Sequence, residues 1–193
     1  MVAALAACAS APATRQFESV PPGKVYYSSY LNIAAPQAEG WHLIESSSVS
    51  MSFARSGSQP NESFAAAVAM FDLTEQTNSS AEFEALIIKK ASYDLETERF
   101  STTKFEHHYM DIRGYACVQI HNVSEDNQAQ VGGGRTERLT LENEHLYCRH
   151  PVRTDTGFAI TYSHRGNSLY PNLRAEAQSF VQGVQVPNES PPQ

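Results

Sequence analysis

The side chains with the widest chemical range in this sequence are its seven histidines. A metal site needs imidazoles, thiolates or carboxylates that converge on one ion, and neither HEXXH nor paired-cysteine spacing occurs. His107 and Asp111 would share one face of a strand, and His145 and His150 could approach them only in a favourable register. We interpret the histidines as surface and edge-strand residues, so the sequence predicts no metal and no cofactor.

A nucleophilic active site is also not indicated. Acyl transfer needs a nucleophile, a base and an oxyanion hole, and the GXSXG motif is missing. Ser163 and His164 are adjacent on a predicted strand and therefore point to opposite faces. Cys117 could act with a histidine only if it forms no disulfide. The sequence therefore predicts no catalytic residue and favours a function other than catalysis.

Three arginines form the main candidate contact site. Two neighbouring strand segments would bring Arg149, Arg153 and Arg165 into one C-terminal region of a chain whose net charge is -7. They could hold an anionic group or an acidic partner surface. The other interpretation, which we prefer, is that they pair with nearby Glu142, Glu144 or Asp155.

Cys117 and Cys148 lie in two segments whose apolar and polar residues alternate as in strands. The polar, glycine-rich segment from Ser124 to Arg135 reads as the connection between them. Strands joined in this way pair antiparallel, which can bring two cysteines near the Cα separation of about 5.5 Å that a disulfide requires. We predict this disulfide; the alternative is two unpaired thiols buried as small hydrophobic residues.

The third cysteine, Cys8, follows the apolar run MVAALAA and precedes an Ala/Pro/Ser-rich stretch. Leu5-Ala6-Ala7-Cys8 resembles the lipobox of bacterial lipoproteins. The resemblance implies cleavage before Cys8, a diacylglycerol on its sulfur and an acylated amino group. The chain departs from the family in lacking a basic segment before the apolar run. The alternative is a chance match, with Cys8 a surface thiol.

Lipidation would place the domain at a membrane surface. Stable anchoring takes two acyl signals, which two or three chains on one cysteine would satisfy. In the lipoprotein family, Ala9 rather than Asp after the cysteine implies the outer membrane. The sequence thus predicts a periplasm-facing envelope protein, anchored to the membrane through Cys8.

The chain divides into four predicted segments. Residues 1–8 are the signal-peptide remnant with its lipobox, 9–35 a tether and lead-in, 36–186 one globular domain and 187–193 a disordered tail. A single domain is expected from the length of 193 residues. The expected fold class is α+β, an antiparallel sheet packed against two main helices.

Two helices interrupt the predicted strands. Ser79 and Glu82 have the spacing of a capping box, and the helix that they begin should end near Glu98. Ser168 is the expected cap of the last helix. FAAAVAMFDL (Phe64 to Leu73) reads as a strand, with a helix as the open alternative.

This order of elements resembles that of PsbP-like proteins. Gly40-Trp41 stands before the first long strand, and ITYSHRG stands before the terminal helix. The resemblance would span residues 36–186 and implies an α/β/α sandwich. That group has no shared catalytic residues to transfer, so the resemblance bears on the fold alone.

Charge and composition narrow the functional classes. With 14 Lys and Arg residues scattered against 21 Asp and Glu, the chain lacks the concentrated basic surface of a nucleic-acid-binding protein. We expect a non-catalytic, lipid-anchored envelope protein that binds another envelope protein or scaffolds an assembly. An anchored hydrolase, which needs a polar cleft, and a carrier of a small apolar or lipid ligand, which needs an apolar cavity between sheet and helix, are the alternatives.

Overall fold

The computed structural model describes residues 17–92 and 98–187. Its helices are α1 (Ser80–Ser92) and α2 (Leu173–Gln182). Its strands are β1 (Glu18–Ser19), β2 (Val25–Tyr27), β3 (Asn32–Ala34), β4 (His42–Ser46), β5 (Ser50–Ser56), β6 (Ser63–Asp72), β7 (Phe100–Ile112), β8 (Tyr115–Val131), β9 (Arg135–Arg149), β10 (Thr156–Gly166) and β11 (Val184–Gln185).

Eight of these strands form one antiparallel sheet, in the order β1-β4-β5-β6-β10-β9-β8-β7. The remaining three, β11, β3 and β2, form a small second sheet. The alanine-rich segment Phe64 to Leu73, for which strand and helix were both open, forms most of strand β6. β7, at 13 residues, is one edge of the large sheet.

The expectation of a balanced α+β fold, and with it an α/β/α sandwich, is wrong. Strands make up 53% of the described residues and helices only 16%, so the fold is dominated by its sheet. The error arises from segments that were interpreted as connections or lead-in. Several of them are strands, which leaves only two short helices to cover a large sheet.

The segment Ser124 to Arg135 shows why. It was expected to be a loop, but β8 continues to Val131 and β9 begins at Arg135, so only Gly132–Gly134 turns the chain. Gly133 and Gly134 have φ values of 79° and 71°, a left-handed conformation that glycine adopts without steric cost. The alternation of β8 continues through buried Ser124 and Asp126, and an irregularity between Asp126 and Ala129 then shifts the register.

The two faces of the large sheet are covered differently. α1 packs Phe83, Leu86 and Ile87 onto Val118 and Ile120 of β8. On the other face, α2 buries Leu173, Ala177 and Phe180 in the main core. In that core the Trp41 ring packs against Tyr162, and the rings of Phe53 and Tyr162 pack against Phe180.

Local sequence explains where the helices begin. The backbone N–H of Glu82 donates to Ser79 Oγ at 3.2 Å, and Glu82 Oε2 accepts the N–H of Asn78, so Ser79 caps α1 as expected. Residues 93–97, before its expected end near Glu98, lie outside the described part. α2 starts at Leu173 rather than after Ser168, because Pro171 disfavours a helical conformation at Tyr170.

The folded structure also includes residues before 36. Val20, Leu31, Ile33 and Ala35 are buried in the main core, and β1 pairs with β4. Residues 1–16 and 188–193 lie outside the described part, so the predicted lipobox at Leu5 to Cys8 and most of the predicted tail are not described. Within the described residues, no helix is both long and apolar enough to cross a membrane.

The predicted disulfide is confirmed. Cys117 lies directly opposite Cys148 in the β8–β9 pairing, with a Cα separation of 4.1 Å and an S–S bond of 2.05 Å. Both cysteines are buried in the main core. The bond therefore links the two longest strands of the sheet on the face that α2 covers.

Removing this bond should destabilise the fold without changing it. A cross-link that closes a loop of 31 residues restricts the unfolded chain, which corresponds to roughly 2–4 kcal/mol of stability. We expect C117A/C148A to lower the free energy of unfolding by that amount in urea titrations. C117A alone, which also breaks the bond, should give a similar loss. An unchanged urea midpoint for both variants would contradict the prediction.

Candidate functional site

The principal candidate site is a groove of 520 Å³ between α2 and strands β7 to β10. We call it the α2 groove. Its apolar surface comes from both the sheet and the helix: Met110, Ile112, Leu146, Ile160, Ala177 and Val181. Polar side chains stand at its ends and rim: His108, Arg113, Gln119, Glu144, Arg174, Gln178 and Gln182.

Strand register supplies the floor of the groove. His108, Gln119, Leu146 and Ile160 are mutual neighbours across β7, β8, β9 and β10. Side chains directly opposite one another in an antiparallel pair lie on the same face. Met110 is two residues along β7 and shares that face. The floor is therefore a direct result of how four strands pair.

Helix periodicity supplies the wall. Phe180 points into the main core against Phe53 of β5 and Tyr162 of β10, and α2 lies over β10 and β9. Arg174, Gln178 and Val181 follow one another at i, i+4 and i+7, which places them on one side of a helix. That side faces β7 to β9, where the two helices of the fold leave the sheet face uncovered.

One end of the groove is organised around Glu144, which is only 5% exposed. Its oxygens accept hydrogen bonds from Gln119 Nε2 at 3.0 Å and Arg174 Nε at 3.1 Å. His121 Nδ1 lies 3.0 Å from Glu144 Oε1, but without the alignment of a hydrogen bond. The carboxylate thus ties β8, β9 and the first turn of α2 together.

The other end is closed by Arg113, in the turn between β7 and β8. Its φ of 54° is left-handed, which is uncommon for a side chain other than glycine. From there its guanidinium donates to the carbonyl oxygens of Gln182 and Val184, each at 3.3 Å. A cation at the last carbonyl groups of a helix also complements the helix dipole.

A third set of contacts holds the start of α2. Glu176 accepts hydrogen bonds from Arg55 Nη2 at 2.9 Å and from the hydroxyls of Tyr162 and Tyr170. Burial, followed by the Glu176 hydrogen bond, raises the pKa of the Tyr162 hydroxyl well above its ordinary value. Tyr162 therefore acts as a neutral donor that positions α2.

The three predicted contact arginines do not come together. Arg149 and Arg153 lie at the turn between β9 and β10, where Arg149 donates to Thr154 O and Arg153 stacks over the Tyr30 ring. Arg165 lies at the far end of β10 and contacts Asp126 Oδ2 at 3.4 Å. Within the described residues, none of the three bonds to the expected partners Glu142, Glu144 and Asp155. The register places Arg149 opposite Gly157 and Arg165 opposite Leu141, at the two ends of β10.

Asp126 is a buried carboxylate that the sequence analysis did not single out. Arg99 Nε and Nη2 each donate to its oxygens at 2.7 Å. These hydrogen bonds hold the pKa of Asp126 below its ordinary value, against the opposing effect of burial. Asp126 and Arg99 form a structural ion pair that links the start of β7 to β8.

Among the described residues, no group of three or more His, Cys, Asp and Glu side chains could hold a metal ion. His107 pairs with Glu84 of α1 at 3.0 Å, and His150 Nδ1 accepts the N–H groups of Val152 and Arg153. His164 is buried and pairs with Glu62 at 3.0 Å. These histidines fix helices and turns.

One histidine has the neighbours of a catalytic base. His145 Nδ1 lies 2.9 Å from Thr161 Oγ1, and His145 Nε2 lies 3.0 Å from Asn122 Oδ1. This row lies on the α1 face of the sheet. Burial lowers the pKa of His145 to about 4, which makes it a weak base at neutral pH.

The surroundings of Thr161 also do not favour catalysis. β10 pairs with β6 on one side and β9 on the other, so its backbone N–H groups are used by the sheet. An oxyanion hole needs free donors next to the nucleophile. The Thr161, His145 and Asn122 row is therefore better explained as buried hydrogen bonding within the sheet.

Comparison with known proteins finds a weak structural likeness and shows no family. No protein-family model matches the chain, and no curated protein sequence matches it. The chain is similar to the solution structure of cyanobacterial PsbP (CyanoP) from Synechocystis sp. PCC 6803, with 12% identity and a TM-score of 0.46. The match covers 86% of this chain and 95% of that chain. We infer neither activity nor ligand from this likeness.

The neutral state of His145 predicts a pH dependence of stability. Between its ordinary pKa of 6.5 and about 4, the unfolded chain binds a proton that the folded chain does not. The stability that this site contributes is therefore complete above pH 6.5 and lost as the pH falls through 4. Urea titrations should show a smaller loss between neutral and acid pH for His145→Gln, by on the order of 3 kcal/mol at most.

The matched control is His42→Gln, which removes an exposed histidine of β4. It should keep the pH dependence of the wild-type protein. If His145→Gln also keeps the wild-type pH dependence, the imidazole of His145 is not held neutral by the fold.

Proposed function

We propose that this protein is a non-catalytic binding protein of the bacterial cell envelope, anchored through an acylated Cys8, that carries a small apolar ligand in the α2 groove. The observation that carries the proposal is the groove itself. Its 520 Å³ falls within the range of roughly 300–1,000 Å³ that is typical of small-molecule sites. Its apolar floor and polar ends also match such sites.

The composition of the groove favours binding over hydrolysis. Its lining contains no serine, threonine or cysteine side chain. The Tyr162 hydroxyl, which reaches it, is bound to Glu176 and has a raised pKa. Glu144 is held by Gln119 and Arg174, so it is not free to act as a base. The groove offers apolar contact and orientation rather than a reacting group.

Two features support the envelope location. The disulfide between Cys117 and Cys148 is of the kind that persists in oxidising compartments such as the periplasm. The residues Leu5 to Cys8 resemble a lipobox, and an acylated Cys8 would hold the domain at a membrane. A carrier of apolar molecules at that surface would shield its ligand from water.

Filling the groove should weaken the binding of an apolar probe. Val181→Phe adds bulk to the wall of the groove, and we expect it to weaken the binding of the neutral fluorescent probe N-phenyl-1-naphthylamine by about tenfold or more, since lost apolar burial costs on the order of 25 cal/mol per Å². Fluorescence titration measures the affinity. Circular dichroism and the urea midpoint check the fold.

The control is Ser179→Phe, which adds the same ring on an exposed side of α2. It should bind the probe like the wild-type protein. Absence of probe binding by the wild-type protein, or equal binding by Val181→Phe and Ser179→Phe, would refute the carrier function.

The anchor has its own test. In bacterial cells that express the protein with its natural N-terminus, we expect labelled palmitate to be incorporated and the protein to pellet with membranes. Cys8→Ala should lose both properties, while C117A/C148A should retain them because the disulfide takes no part in acylation. Equal membrane recovery of the wild-type protein and Cys8→Ala would rule out anchoring through this sulfur.

A further inference from the structure

The charged side chains of the α2 groove differ in whether their hydrogen-bonding atoms remain available to a ligand. Three charged residues line it: Arg113, Arg174 and Glu144. Glu144 is the single anion, and both of its oxygens already accept hydrogen bonds. A ligand that enters the groove therefore meets hydrogen-bond donors with positive charge rather than a free carboxylate.

Arg174 is the donor best placed for a ligand. Its Nε is bound to buried Glu144, whereas its side chain is 68% exposed. In the part of the chain that the structure describes, neither Nη atom makes a hydrogen bond to protein. A guanidinium held through Nε presents its two Nη groups as a fork, which matches the oxygens of a carboxylate or a phosphate.

Among the described residues, the nearby acidic groups leave both Nη groups of this fork available, because Glu144 binds only Nε. Glu106, the neighbour of His121 on β7, interacts weakly with Arg174, but its carboxylate is bound by Lys104 at 3.0 Å. That hydrogen bond is the main cause that lowers the pKa of Glu106. Arg174 is also the second residue of α2, where the helix dipole favours an anion.

The apolar part of the groove extends away from Arg174. From Arg174 to Gln182, where Arg113 closes the groove, the helix rises about 12 Å at 1.5 Å per residue. Met110, Ile112 and Leu146 form the floor below this length of helix. A charged head at Arg174 would thus have a continuous apolar surface on one side of it.

We infer that the ligand of the α2 groove is a single-chain amphiphile with an anionic head group, bound by the Nη atoms of Arg174, with its hydrocarbon chain directed toward Arg113. This inference rests on the proposed carrier function and specifies its ligand. The head group is a carboxylate or a phosphate, as in a fatty acid or a single-chain phospholipid.

Two fluorescent probes, a carboxylic acid and its uncharged methyl ester, test the inference. The wild-type protein should bind 11-(dansylamino)undecanoic acid about tenfold more tightly than its methyl ester, and the difference should shrink with added salt. Arg174→Gln should remove this preference, so that acid and ester bind with equal affinity, whatever effect the loss of the Glu144 contact has on both. Arg138→Gln, which removes another arginine that is 68% exposed, should keep it.

Binding of the ester by Arg174→Gln, together with its circular dichroism spectrum, shows that this variant retains a folded groove. Equal affinity of the wild-type protein for acid and ester would overturn the anionic head group and leave the carrier function intact. Failure of both probes and of N-phenyl-1-naphthylamine to bind would overturn the carrier function itself.

Competition identifies the head group. Dodecanoate or dodecyl phosphate should displace the anionic probe, and the better competitor distinguishes a fatty acid from a phospholipid. If the cation dodecyltrimethylammonium displaces the probe as efficiently as the two anions do, recognition of the head group by Arg174 is contradicted.

Discussion

The antiparallel pairing of β8 with β9 is the constraint on which the rest of the structure depends. These strands of 17 and 15 residues set which side chains face α1 and which face α2. A shift of one residue in their register would move every side chain to the opposite face. Cys117 opposite Cys148 fixes that register covalently, on the face that carries the groove.

The position of α2 follows from the same register. Glu142 and Glu144 of β9 both point to the α2 face, where Glu142 accepts the N–H of Tyr170 and Glu144 binds Arg174. Both carboxylates are buried, and an unpaired buried charge is costly. Polar contacts at the start of the helix and Arg113 at its end thus fix the width of the groove, while Phe180 and Leu173 supply its apolar packing.

Local sequence patterns predicted part of this fold. They failed where the structure depends on contacts between residues that are distant in the sequence. The alternation around Cys117 and Cys148 was sufficient to predict their pairing, and Ser79 caps its helix as the spacing indicates. Ser124 to Arg135 was mistaken for a loop because Asp126 is polar, and its burial is favourable because Arg99 and Arg165, both distant in sequence, bind it. The groove left no signal in the sequence, since its residues come from five separate elements. Arg174 and Glu144 are 30 residues apart in the chain.

The edge strand β7 of the large sheet has a consequence for solubility. β7 is an edge strand of the large sheet among the described residues, and an edge strand can pair with the same strand of another molecule. Lys104 and Glu106 place charges along it, and an irregularity between Thr102 and Lys104 disturbs its regular spacing. Both features oppose edge-to-edge growth. The sheet edge beside the α2 groove can therefore remain exposed to water without promoting aggregation.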